Sequence, residues 1–269
     1  MRDDWVSVAQ CIKDLGMNLT FVSNGILLPE VLEDLAELDP KVVGISLDGM
    51  KKKHNYIRGE ETFRKAIKAI NLLRNHDIQT TVITTISKIN FKDLLRMKDL
   101  ILKRGINWQI QVATPFGNFT KDLMISKEEF YATALWIAKE RINQRFEELP
   151  VIGAHDFGYY SDILPTSEWD GCPAGKTSLG ITSNGGIVGC LAMGNERFIE
   201  GNVRDQSLVA IWEDPKSFSY NRHFERADLG PNCKDCKHSL KCIGGCNSMS
   251  YALTEQFHND PYCFHLLEK

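Results

Sequence analysis

The arrangement of cysteines in the C-terminal part of the chain is the feature that most constrains its fold. Seven of the eight cysteines lie there, and the densest stretch reads Cys-x2-Cys-x5-Cys-x3-Cys. Thiolates at such short separations can converge on one soft metal centre, a ligand set that both zinc and iron–sulfur clusters select. The pattern therefore predicts a metal framework. Its members are Cys172, Cys190, Cys233, Cys236, Cys242, Cys246 and Cys263.

Disulfides and zinc are the competing interpretations of these cysteines. The chain opens MRDDWVSVAQ, with acids where a secretory signal needs basic and apolar residues, and no segment is apolar enough to span a membrane. We therefore expect a cytoplasmic protein with reduced thiols. Two four-thiolate zinc sites would need one more cysteine, whereas seven fit one complete and one three-ligand iron–sulfur cluster. Zinc stays open as an alternative. His238, His258 and His265 could then add ligands, although isolated histidines are more often surface residues.

The cysteines occur together with Gly185, ahead of Cys190, and with Gly244-Gly245, ahead of Cys246. In this order they resemble the SPASM domain, a C-terminal extension of one branch of radical SAM enzymes. The resemblance implies two auxiliary [4Fe-4S] clusters. It implies an outer cluster on Cys233, Cys236, Cys242 and Cys263, and an inner cluster on Cys172, Cys190 and Cys246. Some members have a further cysteine between the first two inner ligands. Its absence here implies an open iron or a non-cysteine ligand.

The first part of the chain alternates predicted strands and helices. The apolar and β-branched runs predict strands at 19–22, 42–47, 78–86 and 107–112. Helical spacing predicts an opening helix before Gly16, a helix near Pro29, one around 62–75, one opened by Asn90 with Asp93, and one capped by Ser126 with Glu129. This alternation indicates a parallel α/β sheet, barrel-like or doubly wound, with ligands at the carboxyl ends of its strands. The basic run at 51–53 is predicted to be a solvated loop.

Polar motifs after two of these strands resemble those of the radical SAM partial barrel. Ser23-Asn24-Gly25 resembles its strand-end turn, and Ser46-Leu47-Asp48-Gly49 with His54 and Arg58-Gly59 resembles the SxDG…H…RG signature. The resemblance implies that Arg58 pairs with the methionine carboxylate of S-adenosylmethionine (SAM) and that Asp48 accepts from its ribose hydroxyls. It also implies that Ser46 and Asn24 lie at the same face. The alternative is that these residues satisfy local backbone groups, which is common in turns.

We therefore expect an α/β protein: a partial (β/α) radical SAM-type barrel missing its first strands, at residues 1–150, followed by a small cysteine-rich SPASM domain, at residues 151–269. The Cys-x3-Cys-x2-Cys loop and Gly-Gly-Glu-Pro motif of radical SAM enzymes do not occur in the sequence. Two explanations stay open. The chain is a fragment of a complete enzyme, or it is a truncated product.

The resemblance implies that the parent is a SAM-dependent radical oxidoreductase. Its substrate would be a peptide of ribosomal origin, or a tetrapyrrole or other small molecule, and a reductant protein would be a partner. A net charge of −3 gives no electrostatic footprint for nucleic acid. The alternatives are a non-catalytic iron–sulfur protein for electron transfer or binding, and a structural zinc protein. Leu191 follows Cys190, where sulfatase-maturing members have an acid, which disfavours that subfamily.

Overall fold

The computed structural model describes residues 2–143, 151–154, 157, 159–163 and 169–269, without the side chains of residues 102 and 143. The strands are β1 Thr20–Ser23, β2 Val42–Ser46, β3 Thr80–Ile86, β4 Asn107–Val112, β5 Val151–Gly153, β6 Gly180–Ile181, β7 Gly186–Val188 and β8 Gly201–Asn202. The α-helices are α1 Trp5–Asp14, α2 Leu32–Glu37, α3 Lys51–Arg58, α4 Thr62–Asn75, α5 Leu94–Leu102, α6 Lys127–Asn143, α7 Leu208–Glu213, α8 Ser219–Arg222, α9 Ser239–Cys242, α10 Asn247–Thr254 and α11 Phe264–Leu267.

The chain forms two compact units. The first contains residues 1–112 and 135–154, and the second contains residues 113–134 and 155–269. The predicted division between residues 150 and 151 borders residues 144–150, which lie outside the described set, and it stays a prediction.

The first unit is built on a five-stranded sheet with the order β1-β2-β3-β4-β5, in which every neighbouring pair is parallel. Parallel neighbours need crossover connections, which the helices along the chain supply. The predicted α/β class with a parallel sheet is confirmed. All four predicted strands are present, and β5 is an additional one that the sequence analysis did not identify.

Burial alternates strictly along β3 and β4, which shows how their side chains divide between the two faces of the sheet. Val82, Trp108 and Ile110 are fully buried on one face. The indole Nε1 of Trp108 donates to Thr84 Oγ1 at 2.9 Å, and that hydroxyl donates to Leu47 O at 2.7 Å. The buried polar atoms of this core are therefore paired with one another, as burial requires.

One local prediction for this unit is wrong. The basic run at 51–53 is not a loop, because it forms the first turn of α3. The helix predicted to open at Asn90 is present, as a 3-10 turn at Phe91–Asp93 that leads into α5. The Asn90 side chain does not cap it; it bonds instead to the loop after β3 and to Asp48 O, as described below. Cys11, the cysteine outside the C-terminal group, is exposed on α1. The capping box is confirmed, since Ser126 N donates to Glu129 and Glu129 N donates to Ser126 Oγ.

The second unit contains a small antiparallel sheet of the order β6-β7-β8 and short helices. β6 and β7 form a hairpin. Gly185 lies in its turn at φ +89°, where a Cβ would come 2.7 Å from Asn202 Oδ1. Elsewhere in the unit Phe130 packs on Tyr262 and Phe264, with ring centroids 5.3 and 5.6 Å away. Within the described residues, no helix combines the length and the apolar character that crossing a bilayer requires.

Candidate functional site

Four of the predicted ligands line one cavity of about 160 Å³ in the second unit. They are Cys233, Cys236, Cys242 and Cys263, the set assigned to the outer cluster. Cys242 is the last residue of α9, and Cys263 directly precedes α11. The fold thus brings cysteines that are up to 30 positions apart in sequence to the same cavity.

Three of the thiols of this cavity are poor acids. Burial raises the pKa of Cys233 and that of Cys242 to about 12, and it also raises the pKa of Cys263. The negative charge of Asp260 adds to each shift. Burial outweighs the backbone N–H bonds that these sulfurs accept, and a bound cation would stabilise their charged form. The donor chemistry therefore fits a thiolate-bound metal or cluster.

Asp260 is a buried carboxylate that organises this region. Its Oδ2 accepts from the N–H of Cys246 at 3.0 Å and from the hydroxyl of Tyr159 at 3.2 Å, and its Oδ1 accepts from the N–H of Tyr262 at 2.8 Å. Its charge acts on the pKa of Cys172 as well as on the outer thiols. Asp260 was not predicted from the sequence, although its position three residues before the last cysteine is a visible signal.

Gly244 and Gly245 line the same cavity and both have left-handed backbone, at φ +80° and +82°. A Cβ on Gly244 would lie 2.4 Å from the backbone of His258, and one on Gly245 would lie 2.6 Å from Asp260 Cβ. No side chain fits at either position. The glycines thus allow the loop before Cys246 to pack against the segment that leads to Cys263.

The remaining three predicted ligands are also brought together. The charge of Cys190 acts on Cys172, whose sulfur accepts from the backbone N–H of Asn247, the residue after Cys246. Burial is the largest cause of the raised pKa of Cys172. Residues separated widely along the chain therefore meet as a second thiol group, which we call the inner site: Cys172, Cys190 and Cys246.

Helix α8 holds the loop that carries Cys172. Asn221 is fully buried, and its Nδ2 donates to Cys172 O at 2.8 Å and to Ala174 O at 2.7 Å. Its Oδ1 accepts from Asn247 Nδ2 at 3.0 Å. Arg222 Nε donates to Gly175 O at 2.5 Å. These residues could not be predicted from the sequence, because no spacing rule links α8 to a loop so far before it.

The histidines near the cysteines are less exposed than expected. His258 and His265 are buried, so the prediction of surface residues is wrong for both. His258 contacts Ile243 O and Tyr220 O through its two ring nitrogens, at 2.6 and 2.7 Å, which is a structural role.

His238 and His265 form a group with Asp162 in which one ligand atom from each lies within 4.8 Å of the others. Asp162 also pairs with Lys237 Nζ at 2.5 Å. Two imidazoles and a carboxylate suit zinc, so this group is the feature that supports the zinc alternative.

In the first unit, the polar residues after the strands form a bonded network around Asp48. This side chain is buried; its Oδ2 accepts from Arg58 Nε at 2.5 Å and its Oδ1 accepts from the N–H of Thr85 at 2.8 Å. Its own N–H donates to Nδ1 of His54 at 3.0 Å. Burial lowers the pKa of His54 to about 4, so the ring is neutral at pH 7. Asp48 and Arg58 thus pair with each other, and Arg58 keeps 31% of its side chain exposed.

Asn90 completes this network and was not identified as part of it. Its Oδ1 accepts from Ser87 N at 2.7 Å, and its Nδ2 donates to Asp48 O and Thr85 O, both at 2.8 Å. The loops after β2 and β3 are therefore tied together by one buried amide.

Asn24 and Ser46 take different positions in the same unit. Asn24 is exposed and its Oδ1 accepts from the N–H of Ile26 at 3.0 Å, which is a local turn bond. Ser46 is buried at the end of β2. Gly25 has φ +77°, and a Cβ there would lie 2.7 Å from that of Ala69 on α4. The close packing of Gly25 on α4 requires this turn. The SAM-binding roles implied for Asn24 and Ser46 stay predictions.

The sheet has a half-buried polar face that the sequence analysis overlooked. Gln111 Nε2 donates to Thr85 Oγ1 at 3.0 Å, and Gln109 Nε2 donates to Gln111 Oε1 at 3.3 Å. The signal was the alternation of polar and apolar residues along β3 and β4, which places these side chains opposite the core. They continue the Asp48 network along the sheet, and we call that network and these side chains together the polar edge.

Comparisons with known proteins agree with this architecture. The family profile described as Radical SAM superfamily matches residues 1–101, and the profile described as an iron-sulfur cluster-binding domain, SPASM, matches residues 172–237. The second match includes four of the seven cysteines: Cys172, Cys190, Cys233 and Cys236.

Similar proteins and structures cover almost all of the chain. It is 24% identical to an AdoMet-dependent heme synthase of Methanosarcina barkeri, over 98% of this chain and 79% of that protein. It is 23% identical to a PqqA peptide cyclase of Rhizobium meliloti, over 97% of this chain and 70% of that protein. The crystal structure of Streptococcus suis SuiB superposes with a TM-score of 0.77 and 19% identity, over 97% of this chain and 64% of that one. At this identity, the structural likeness concerns the fold.

Proposed function

The chain belongs to the radical SAM/SPASM proteins, and on that premise we propose that it holds two auxiliary [4Fe-4S] clusters for radical modification of a peptide. One observation carries the proposal: seven buried or half-buried thiols gather into a group of four around one cavity and a group of three beside α8. Four and three ligands suit one fully ligated and one incompletely ligated cluster.

Each group of residues has its own part in this proposal. Cys233, Cys236, Cys242 and Cys263 would hold the outer cluster, and the inner site would hold the other. When bound, such clusters accept or donate single electrons at potentials that hydrogen bonds and burial tune. Asp260 and Asn221 position the segments that carry the cysteines.

The polar edge of the first unit is the proposed SAM-binding face. Asp48, Arg58, Ser46 and Asn24 would contact the cofactor, as the motif implies. The exposed part of the Arg58 guanidinium can donate to a carboxylate while Nε stays on Asp48, because guanidinium has five donors. Each Asp48 oxygen has lone pairs beyond the bonds it accepts here. The existing network therefore presents these groups without rearrangement.

A peptide is the first candidate for the substrate. The similarity to PqqA peptide cyclase supports it, since that protein acts on a peptide. A tetrapyrrole is the second candidate, supported by the similarity to AdoMet-dependent heme synthase across 98% of this chain. In either reaction a reductant protein is a proposed partner, and the cytoplasm is the proposed location.

SAM cleavage needs one further element. We infer that it rests on a Cys-x3-Cys-x2-Cys loop, which these 269 residues do not contain. The genomic reading frame upstream of residue 1 tests this inference directly. An in-frame Cys-x3-Cys-x2-Cys and Gly-Gly-Glu-Pro sequence would support a complete enzyme, and a stop codon directly before Met1 would contradict it.

Metal analysis after anaerobic expression and reconstitution tests the cluster proposal. We expect about eight irons and eight sulfides per chain and a broad visible absorbance, as two [4Fe-4S] clusters require. Cys236→Ala, at a proposed outer ligand, should destabilise one cluster and lower the iron content. Cys11→Ser is the matched control, because Cys11 is exposed on α1 and belongs to neither site. It should leave the iron content unchanged.

Other results would favour the rival functions. A colourless protein with tightly bound zinc would contradict the cluster proposal, and zinc lost on His238→Ala would place it at the Asp162 group. A chain with both clusters but no change in their spectra or potentials on adding SAM would favour an electron-transfer or binding protein.

A further inference from the structure

The phenol of Tyr220 is a buried polar group that the proposed function leaves unused. Its hydroxyl is inaccessible to solvent and has no hydrogen-bond partner among the described residues. Buried hydroxyls nearly always have a partner, and an exception points to an unseen water, ion or cofactor. A phenylalanine would fill the same space without this cost. The hydroxyl therefore needs an explanation.

The hydroxyl lies at the inner site. A Cβ on Gly189, the residue before Cys190, would come 2.2 Å from Tyr220 Oη and 3.2 Å from Gly175 N. Oη is thus directly against the backbone that delivers Cys190, beside the loop that carries Cys172. The charges of both cysteines act on the phenol, whose pKa is raised chiefly by burial. Gly189 leaves the space that the hydroxyl occupies.

The ring is held firmly in this position. It stacks on Phe257 with centroids 4.5 Å apart and an interplanar angle of 20°. The carbonyl of Tyr220 contacts Nε2 of the buried His258 at 2.7 Å. The next residue, Asn221, bonds to the carbonyls of Cys172 and Ala174. Neighbouring residues of α8 therefore have two roles: Asn221 holds the Cys172 loop, and Tyr220 places its phenol beside that loop.

We propose that Tyr220 donates a hydrogen bond from Oη to the metal–sulfur group held by Cys172, Cys190 and Cys246. A phenol ordinarily loses its proton near pH 10, so at neutral pH Oη is a donor and not an anionic ligand. Sulfides and thiolates accept such bonds, and the bonds raise the reduction potential of a cluster. Tyr220 is a positioning and tuning residue of the inner site, and this assignment rests on the proposed function.

The test compares wild type, Tyr220→Phe and Tyr251→Phe after anaerobic reconstitution. Tyr251 is the matched control, because its ring also packs on Phe257, at 5.0 Å, and it lines no thiol cavity described above. Iron and sulfide are measured first, and then each cluster is titrated redox-potentiometrically and followed by EPR. Pulsed EPR in H₂O and D₂O reports exchangeable protons near each cluster. The EPR signal that is lost in Cys190→Ala is assigned to the inner cluster.

We expect Tyr220→Phe to keep its iron while the inner cluster becomes about tenfold harder to reduce, a shift of about 59 mV for a one-electron couple. An exchangeable-proton coupling should disappear from the inner signal alone. Tyr251→Phe should match wild type in both measurements. If Tyr220→Phe does not fold, 3,5-difluorotyrosine incorporated at position 220 keeps the ring and strengthens the donor, and it should raise the inner potential.

Three results would overturn the assignment while the cluster proposal stands. They are unchanged inner potential and coupling in Tyr220→Phe, a shift of the outer signal instead, and a loss of iron, which would make the phenol a ligand. A wild-type chain that binds no iron at the inner site would overturn the cluster proposal together with this inference.

Discussion

The polar edge of the first unit and the thiol sites of the second unit differ in the balance between burial and hydrogen bonding around their side chains. The Asp48 carboxylate bonds to Arg58 and to the N–H of Thr85, and the His54 ring and the Asn90 amide bond to backbone groups of Asp48. The buried thiols instead have pKa values raised mainly by burial. A self-satisfied network is preorganised before any ligand arrives. Around the thiols, burial outweighs the backbone N–H bonds that the sulfurs accept, so we expect their charged form to depend on a bound metal.

Metal removal should produce the largest difference between the two units. Structural thiolate sites bind metal with free energies on the order of 10 kcal/mol, which is comparable to the whole stability of a domain. We expect chelation to abolish amide protection in residues 230–269 and to leave protection in β2, β3 and β4 unchanged. Hydrogen exchange followed by mass spectrometry measures both at once. Equal protection with and without metal would show that the thiol sites fold unaided.

Two buried asparagines sharpen the comparison. Asn90 makes four side-chain hydrogen bonds in the first unit, and Asn221 makes three in the second. Asn90→Ala should lower the free energy of unfolding of the first unit by about 3 kcal/mol whether or not metal is present, because it leaves buried backbone groups unpaired. Asn221→Ala should in addition loosen the Cys172 loop and lower inner-site iron.

Urea unfolding with and without metal, together with iron analysis, separates these effects. Asn195→Ala is the control, since Asn195 is exposed and accepts one local bond from Arg197 N. It should cost less than about 1 kcal/mol. Iron retention unchanged in Asn221→Ala would contradict the assigned role of α8.

Acid should destabilise the polar edge through His54. Burial lowers the pKa of His54 to about 4 in the folded protein, against an ordinary value of 6.5. The unfolded chain then binds the proton first as pH falls, so this stability is present above pH 6.5 and is lost between pH 6.5 and 4. The expected loss is about 3 kcal/mol.

Urea unfolding at pH 7, 6, 5 and 4 measures this loss. His54→Asn keeps an acceptor for the N–H of Asp48 and does not titrate, so its stability should vary less over the same range. Parallel curves for wild type and His54→Asn would exclude His54 as the cause.

The smallest expected effect concerns the edge of the parallel sheet. β1 is the outer strand of the described sheet, and Val22 on it is 70% exposed. Exposed apolar edge strands promote association between chains, and a lysine on the edge opposes it. Val22→Lys should reduce self-association in light scattering with little change in melting temperature. A monodisperse wild-type monomer would remove the basis of this prediction.

Much of the fold followed from local patterns. The strand positions were predictable because β-branched runs such as 80–86 occur between helices with clear apolar stripes. The helix α3 was not predictable, because its first turn consists of three lysines, and its buried contacts come from His54 and Asn55. β5 has three residues, too few for a periodic signal.

The sequence by itself determined the parallel α/β class, the cysteine-rich C-terminal part and the identity of the candidate ligands, because these depend on residue type and spacing. Tertiary structure alone decided which side chains surround them. Asp260, Asn221 and Tyr220 reach the thiols from segments with no fixed spacing to Cys172. Burial by the folded chain, and not any local pattern, raises the thiol pKa values and isolates the Tyr220 hydroxyl.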